Sequence, residues 1–305
     1  MEPEGDNVGM RVLILGTAGM LGHKLYQAFR GRHEVWGSIR QDVSAYATLE
    51  LFDAERLIAG VDAADPATVA RAIERVEPHL VVNCVGIVKQ LAAARDPIAS
   101  ITINSLFPHR LARLCRDAGC RLIHMSTDCV FSGRKGAYRE DDLPDPEDLY
   151  GRSKLLGELA DEGALTIRSS IIGRELRTSN GLVEWFLAQS GKAVPGYRRA
   201  IYSGFTTLAM ARIISGLIDD QRALTGVWHV SSDPINKYDL LGLISREYGV
   251  GVEVVPDSEV VVDRTLDSSR FRAVSGFVPP PWPEMIREMA ADPTPYDVWR
   301  RSHVA

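Results

Sequence analysis

The sequence predicts an α/β protein with a doubly wound parallel sheet and a smaller C-terminal lobe. Apolar runs typical of strands alternate with segments of helical periodicity through the first half of the 305-residue chain. The strand-like runs are apolar throughout, as expected for strands buried on both faces of a sheet. A glycine-rich turn joins the first strand to the first helix, and parallel α/β sheets bind ligands at such turns.

The element boundaries follow from local signals such as turn residues and helix-starting prolines. We predict strands at residues 11–15, 34–39, 57–61, 78–83, 121–126, 165–169 and 227–230. We predict helices at residues 21–29, 66–76, 98–118, 149–162, 182–189, 207–218, 237–248 and 283–291.

The composition is that of a globular protein with a sizeable core. Hydrophobic residues make up 45% and charged residues 25% of the chain, and the net charge of −5 comes without a long basic run, so no nucleic-acid partner is expected. The seven histidines show no metal-binding spacing, so no metal is expected. The four cysteines form no CxxC pair and the first residues are polar, which favours a cytoplasmic protein. No apolar stretch is long enough to span a membrane, so no membrane contact is expected.

The turn after the first strand contains Gly16, Gly19 and Gly22. In this setting one glycine permits a tight turn, another lets the backbone approach a pyrophosphate, and the third brings helix and strand close together. The helix N-terminus then presents free N–H groups and the positive end of its dipole to the phosphates. We therefore expect a dinucleotide to bind here, with Met20 and Leu21 in the loop.

The end of the second predicted strand bears on which dinucleotide binds. NAD-binding proteins usually carry an acid there for the ribose 2′-hydroxyl, whereas NADP-binding proteins carry a cation near the 2′-phosphate. This strand ends in Arg40, with no acid before Asp42, and arginine can hold a phosphate with two hydrogen bonds. The sequence favours NADP over NAD, with a solvated surface arginine as the other interpretation.

Tyr150 is the one tyrosine of nine that has a lysine, Lys154, four residues later. On a helix both side chains lie on one face, and a nearby ammonium is expected to lower the phenol pKa from about 10 towards the range of general acid–base catalysis. Ser126 and Thr127 end a predicted buried strand, where either hydroxyl could bond a carbonyl oxygen as it gains charge. An ordinary surface pair on a helix is the alternative interpretation of Tyr150 and Lys154.

Taken in order, the motifs resemble those of the extended short-chain dehydrogenase/reductases, most closely the dTDP-4-dehydrorhamnose reductase family. The resemblance spans about residues 10–290. It rests on residues 16–22, 62–63, 83–86, 104, 126–131, 150–154 and 168–173.

The resemblance implies roles for individual residues. Thr127, Tyr150 and Lys154 would form the catalytic triad, with Asn104 supporting a proton-relay water. The further residues implied to bind the cofactor are Asp62, Ala63, Cys84, Val85, Gly86 and Ile171, together with Lys154. Those implied to contact substrate are Ser126, Cys129, Phe131, Asn180, Trp185, Tyr202 and Arg264. Lys89 and Gln90 lie in a segment that departs from the family's usual one; they are candidates for substrate contact, with an exposed polar loop as the other interpretation. Cys129 stands where the family has a tyrosine that shapes the sugar pocket, which leaves the identity of the sugar open.

The resemblance implies NADP(H)-dependent reduction of a keto group, at C4, of a nucleotide-activated deoxysugar. Two alternatives remain: an epimerase with tightly bound NAD, and a non-catalytic regulatory subunit like the beta subunit of methionine adenosyltransferase. We expect a disordered tail at residues 1–9, a Rossmann NAD(P)-binding domain at 10–172 and a mainly substrate-binding lobe at 173–305. Residues of about 205–230 would return to the first domain, and the family resemblance suggests a homodimer.

Overall fold

The computed structural model describes residues 9–160, 163–219 and 224–301. Apart from Gly9, the predicted tail lies outside these residues. Within the described ranges, no helix has both the length and the apolar character that crossing a membrane requires.

The described strands and helices alternate through the first half of the chain. The strands are β1 (Arg11–Leu15), β2 (Glu34–Ser38), β3 (Leu57–Ile58), β4 (Leu80–Asn83), β5 (Arg121–Met125), β6 (Ala164–Arg168), β7 (Ile171–Ile172), β8 (Ala193–Tyr202), β9 (Phe205–Thr206), β10 (Gly226–His229), β11 (Ile235–Asn236) and β12 (Glu253–Asp263). The helices are α1 (Gly22–Phe29), α2 (Pro66–Val76), α3 (Pro97–Ser100), α4 (Phe107–Asp117), α5 (Leu149–Leu156), α6 (Leu182–Leu187), α7 (Thr207–Asp219), α8 (Lys237–Tyr248), α9 (Ser269–Ser275), α10 (Trp282–Ala290) and α11 (Tyr296–Arg301).

The central sheet has seven strands in the order β10-β6-β5-β4-β1-β2-β3, and every pair of neighbours is parallel. This confirms the predicted doubly wound parallel sheet. The strand order reverses between β1 and β4, and the crevice outside the carboxyl ends of such a pair is where open α/β sheets bind ligands. The turns that follow β1 and β4 therefore face the ligand position.

The sheet separates two layers of core because successive side chains of a strand point to opposite faces. Val12 and Ile14 of β1 pack into one layer with residues of α1 and α7, whereas Leu13 and Leu15 pack into the other with residues of α2 and α4. Helix α7 packs against the central sheet and β10 is one of its strands, although both lie in the second half of the chain.

The second half also contains a pair of long strands that the sequence did not predict. Strand β8 pairs in parallel with β12 over most of its length, and β11 adds to β8 on the other side in antiparallel fashion. Pro195 and Gly196 interrupt the apolar pattern of β8, and β12 contains Pro256, a register shift and mostly exposed side chains. Prolines and weak alternation hide such strands from sequence analysis.

Three predicted elements differ from the structure by more than two residues or in helix type. The helix predicted at residues 98–118 is α3 and α4 joined by a π-helical segment, Ile101–Leu106. The helix predicted at 149–162 ends at Leu156, ahead of Gly157, whose neighbouring Asn104 carbonyl leaves no room for a side chain; residues 161 and 162 lie outside the described ranges. The strand predicted at 57–61 is only β3, since Gly60 adopts a positive φ.

Candidate active site

A cleft of about 440 Å³ opens at the carboxyl ends of β1, β4, β5 and β6. Its walls come from the glycine turn, from the segments that follow β4 to β6, from α5, and from the second half of the chain. The lining residues from the second half include Glu175, Thr178, Asn180, Tyr202 and Lys237. The cleft therefore lies where the central sheet meets the smaller lobe.

The glycine turn has the geometry that a dinucleotide requires. Gly16 has a φ of +77°, which favours glycine, and a Cβ on Gly22 would lie 2.3 Å from the Gly16 carbonyl oxygen. The Ser38 amide donates to the Thr17 hydroxyl (2.9 Å), and the Thr17 amide donates to the Ser38 carbonyl (3.1 Å). The turn is thus fixed against the end of β2, with the N-terminus of α1 beside it.

Helix α5 places Tyr150 and Lys154 in the wall of the cleft. The Asp148 carboxylate caps the helix by accepting a hydrogen bond from the Gly151 amide at 2.8 Å. The Lys154 ammonium is buried and donates to the carbonyl oxygen of Met125 at 2.6 Å. Burial lowers the pKa of Lys154 to about 8, although the charge of Glu158 acts to raise it. Tyr150 and Lys154 therefore both line the cleft, and a direct pairing of the phenol with the ammonium stays a prediction.

The expected lowering of the Tyr150 pKa is wrong for this structure. Burial of the phenol raises its pKa above the usual value, and a hydrogen bond with the Thr127 hydroxyl opposes that rise only in part. The Lys154 ammonium is bonded to the Met125 carbonyl instead. Tyr150 is consequently a neutral phenol near neutral pH, which is the protonation state of a proton donor.

Thr127 and Ser126, which the sequence left as alternatives, have different surroundings. The Thr127 hydroxyl interacts with Tyr150, donates to Asp128 at 3.1 Å and accepts from the Cys129 amide at 3.1 Å. The Ser126 hydroxyl donates to the Glu158 carboxylate at 2.6 Å. The geometry therefore favours Thr127 over Ser126 as the hydroxyl that meets a reacting oxygen.

The Asn104 side chain connects the segment after β4 to helix α5 through hydrogen bonds. Its side chain accepts from the Ile87 amide at 2.9 Å and donates to the Ile87 carbonyl at 3.0 Å and the Ser153 hydroxyl at 3.2 Å. The π-helical segment Ile101–Leu106 presents it there, and such segments are frequent at functional sites. Asn104 lies behind the cleft wall, and its role in a proton relay stays a prediction.

The predicted cofactor residues fall into two groups. Those that line the cleft are Gly19, Met20, Leu21, Cys84, Val85, Gly86, Lys154 and Ile171. Gly16 and Gly22 shape the turn beneath it. Arg40 is exposed, Ala63 is buried in the core, and the Asp62 carboxylate accepts from the Ala64 amide at 2.9 Å; none of these three lines the cleft.

Most predicted substrate residues also line the cleft, and they are Lys89, Gln90, Ser126, Cys129, Asn180 and Tyr202. The prediction for Phe131 is wrong, because its ring is fully buried and stacks on Tyr138 with centroids 4.2 Å apart. Arg264 and Trp185 do not line the cleft. The Arg264 guanidinium donates to the Phe131 carbonyl at 2.9 Å, and Trp185 is half-exposed on α6. Substrate contact by these two residues is not supported by their positions.

Sequence analysis missed Asp128 and Lys237, which both line the cleft. Asp128 is buried, and burial raises the pKa of its carboxyl while the charges of Arg264 and Lys237 lower it. The Lys237 ammonium lies 4.3 Å from the ring centroid of Tyr202, whose buried hydroxyl has no hydrogen-bond partner among the described residues. Lys237 begins a helix far along the chain, so no local pattern linked it to the site.

Comparisons with known proteins identify the family and its relatives. The profile of the family described as RmlD substrate binding domain matches residues 10–294. The probable low-salt glycan biosynthesis reductase Agl14 of Haloferax volcanii is 30% identical over 275 residues, which cover 86% of this chain and 88% of that protein. The dTDP-4-keto-6-deoxy-D-glucose reductase of Streptomyces niveus is 31% identical over 172 residues, which cover 54% of each chain.

A regulatory protein is also among the relatives. The methionine adenosyltransferase 2 subunit beta of Xenopus tropicalis is 30% identical over 170 residues, which cover 54% of this chain and 47% of that protein. The matched region thus spans about half the length of several curated relatives. Among solved structures, the dTDP-4-dehydrorhamnose reductase of Bacillus anthracis in complex with NADP has a TM-score of 0.77 at 21% identity, covering 93% of this chain and all of that chain.

Proposed function

The chain belongs to the RmlD substrate binding domain family, and on this premise we propose that it catalyses the NADP(H)-dependent reduction of a keto group, at C4, of a nucleotide-activated deoxysugar. The observation that carries the proposal is the meeting of Thr127, Tyr150 and Lys154 in one cleft with the glycine turn. The names of the reductase relatives support the substrate class.

The residues of the cleft fit a nicotinamide dinucleotide. The turn at Gly16 and Gly22 has no room for a Cβ at Gly22, and a turn of this kind lets a diphosphate approach the backbone. Gly19, Met20 and Leu21 would hold the diphosphate, and Cys84, Val85, Gly86 and Ile171 would line the remainder of the cofactor position. A reduced nicotinamide bound there supplies the hydride.

Three side chains of the cleft would transfer the proton and stabilise the charge that this transfer leaves. Tyr150, a neutral phenol, donates its proton to the oxygen of the former carbonyl as negative charge develops there. Thr127, already hydrogen-bonded to Tyr150, orients the same oxygen. Lys154, which is mostly protonated below its pKa of about 8, stabilises the phenolate that remains.

Two other functions use the same scaffold. An epimerase would retain NAD and show no net consumption of added cofactor. A regulatory subunit, the interpretation that similarity to the methionine adenosyltransferase subunit keeps open, has no need of Tyr150, Thr127 and Lys154 together in one cleft. The retained set therefore favours the reductase.

The direct test is to mix the purified 305-residue protein with NADPH and dTDP-4-keto-6-deoxyglucose and to follow the absorbance of the reduced nicotinamide. We expect a loss of absorbance that depends on both protein and sugar. Absence of any loss with this sugar and with 4-keto-6-deoxy sugars carried on UDP, GDP or CDP would contradict the proposal.

A further inference from the structure

The Lys237 ammonium has hydrogen-bonding capacity that the protein does not use. The side chain lines the cleft together with Thr127 and Tyr150, and its ammonium lies 4.3 Å from the centroid of the Tyr202 ring. Among the described residues it has no hydrogen bond and no ion pair, and the carboxylate of Asp128 acts on it through its charge alone. An ammonium carries three donors, so those of Lys237 are available to an acceptor in the cleft.

The position of Lys237 is unfavourable for a cation. It is the first residue of α8, at the positive end of the helix dipole, where positive charge is disfavoured. The helix is capped without it, because the Asn236 side chain accepts from the Asp239 amide at 2.8 Å. Burial also lowers the pKa of the ammonium. A charge that breaks several rules of stability at once, in the wall of a cleft, indicates a role towards a ligand.

Asp128 supplies an acceptor beside this donor. Its carboxylate is buried and accepts from the Thr127 hydroxyl at 3.1 Å. It is close enough to Lys237 for each charge to affect the pKa of the other group, although these two described side chains form no ion pair. A carboxylate can accept several hydrogen bonds. The cleft therefore offers one acceptor and one donor near the hydroxyl that would orient the reacting oxygen.

A sugar hydroxyl fits this pair because it both accepts and donates a hydrogen bond. An anionic substituent would be repelled by Asp128, and an ammonium substituent by Lys237. In the proposed reaction Thr127 orients the oxygen at C4, so the pair would meet the substituents of the neighbouring ring carbons. C5 of a 6-deoxy sugar carries a methyl group, which leaves C3 as the neighbour with a hydroxyl.

We infer that Lys237 donates a hydrogen bond to the C3 hydroxyl of the sugar and that this hydroxyl donates to Asp128, so that the protein selects 4-keto sugars that retain it. The Tyr202 ring holds the ammonium in the cleft through a cation–π contact. The inference rests on the proposed function for the position of the ketone, and it assigns a specificity-determining residue to that reaction.

The test compares dTDP-4-keto-6-deoxyglucose with its 3-deoxy counterpart, dTDP-4-keto-3,6-dideoxyglucose. Binding of each to the full-length protein is measured by isothermal titration calorimetry with saturating NADP⁺, which has no hydride to donate. We expect the wild type to bind the 3-deoxy sugar roughly 10- to 100-fold more weakly, the range for lost hydrogen bonds to charged groups. Lys237→Met should weaken binding of the parent sugar roughly 2- to 10-fold and leave the 3-deoxy sugar within about twofold of the wild type.

Two further variants separate recognition from a structural role. Lys237→Arg keeps a cationic donor, so it should retain part of the preference for the C3 hydroxyl. Lys89→Met is the matched control, because Lys89 also lines the cleft but its ammonium is paired with Asp148 at 2.6 Å. Whatever its effect on affinity, this change should leave the ratio of the two affinities unaltered. Thermal unfolding of each variant checks that it is folded.

The outcomes distinguish this inference from the proposed function. Equal affinities of the wild type for the two sugars, or an unchanged ratio in a folded Lys237→Met variant, would overturn the role of Lys237 even if the protein reduces the parent sugar with NADPH. Binding of neither sugar would overturn it as well. Conversely, a protein that selects the C3 hydroxyl through Lys237 but oxidises no NADPH with the parent sugar would uphold this role and refute the reductase.

Discussion

Two regions of the molecule differ in how their polar groups are satisfied. At the reaction end, which we define by Thr127, Tyr150 and Lys154, the side chains are bonded to one another or to the backbone. At a second region, where the Arg177 guanidinium stacks on the Tyr46 ring, the Nε and Nη2 atoms of Arg177 are buried and have no hydrogen-bond partner among the described residues. The polar groups of the reaction end are therefore satisfied within the protein, whereas these two donors are not.

A buried network explains why the reaction end is organised. The Glu158 carboxylate accepts from the Ser126 hydroxyl and pairs with Arg168 at 2.7 Å, with both charged side chains less than a tenth exposed. The Arg168 guanidinium also contacts His229 of β10 at 3.2 Å. This network joins β5, β6, β10 and the end of α5, and so it fixes the strand end that presents Thr127.

Removing the reacting hydroxyl at the organised end should have the largest effect. Tyr150→Phe removes the proton donor and keeps the ring, so we expect the turnover rate to fall by about 10²- to 10⁴-fold. Cofactor binding, measured by calorimetry, and the melting temperature should remain close to those of the wild type. A Tyr150→Phe variant with undiminished turnover would remove the reaction end from the mechanism.

Breaking the buried network should affect stability rather than chemistry alone. Glu158→Gln leaves Arg168 buried without its counter-ion, and we expect the free energy of unfolding to fall by about 3–5 kcal/mol in chemical denaturation. The matched control is Glu147→Gln, because Glu147 pairs with Arg134 at 2.6 Å on the surface. That change should cost about 0–1 kcal/mol. Equal losses in the two variants would show that the reaction end is not held by this network.

The protonation of Lys154 predicts an alkaline limit to activity. Burial lowers its pKa to about 8, so the ammonium that stabilises the phenolate is present below that pH and is lost above it. We expect the turnover rate to decline as pH rises through about 8. In Lys154→Arg the cation stays charged, and the decline should move to higher pH in whatever activity remains. A rate that is flat through this range in the wild type would contradict the role given to the ammonium.

The smallest effect should come from Lys237, at the sugar side of the reaction end. Its ammonium lies against the Tyr202 ring, and its charge is coupled to that of the buried Asp128. Lys237→Met keeps the length of the side chain and removes its donors, so the KM for the sugar should rise by roughly 2- to 10-fold with little change in turnover. The exposed Lys192 gives the control, Lys192→Met, which should change neither value.

The sequence predicts those parts of the site whose residues lie close together along the chain. The glycine turn and the Tyr150–Lys154 pair are defined by spacing within one turn or one helix, and these local patterns predicted both the sheet and the cleft. Lys237 reaches the cleft from a distant segment through tertiary packing, and no periodicity connects it with the cleft. This placement became visible only in the folded chain.

Burial explains why the predicted roles of some site residues and the predicted pKa of Tyr150 were wrong. The residues from Ser126 to Phe131 form one motif, but Ser126 is engaged by Glu158 and Phe131 is packed against Tyr138, so only part of the motif faces the cleft. Burial likewise decides the Tyr150 pKa, which spacing alone led us to expect in the other direction. A sequence pattern thus located the groups but did not predict their solvation.

The most direct test of the central claim is the transfer of hydride to the sugar. The protein is incubated with NADPH that carries deuterium at both C4 positions of the nicotinamide ring and with dTDP-4-keto-6-deoxyglucose, and the product is analysed by mass spectrometry and NMR. The account predicts an alcohol with deuterium on the carbon of the former C4 carbonyl and an equal amount of NADP⁺. A recovered sugar without deuterium, or one converted to an epimer while NADPH is not consumed, would contradict it.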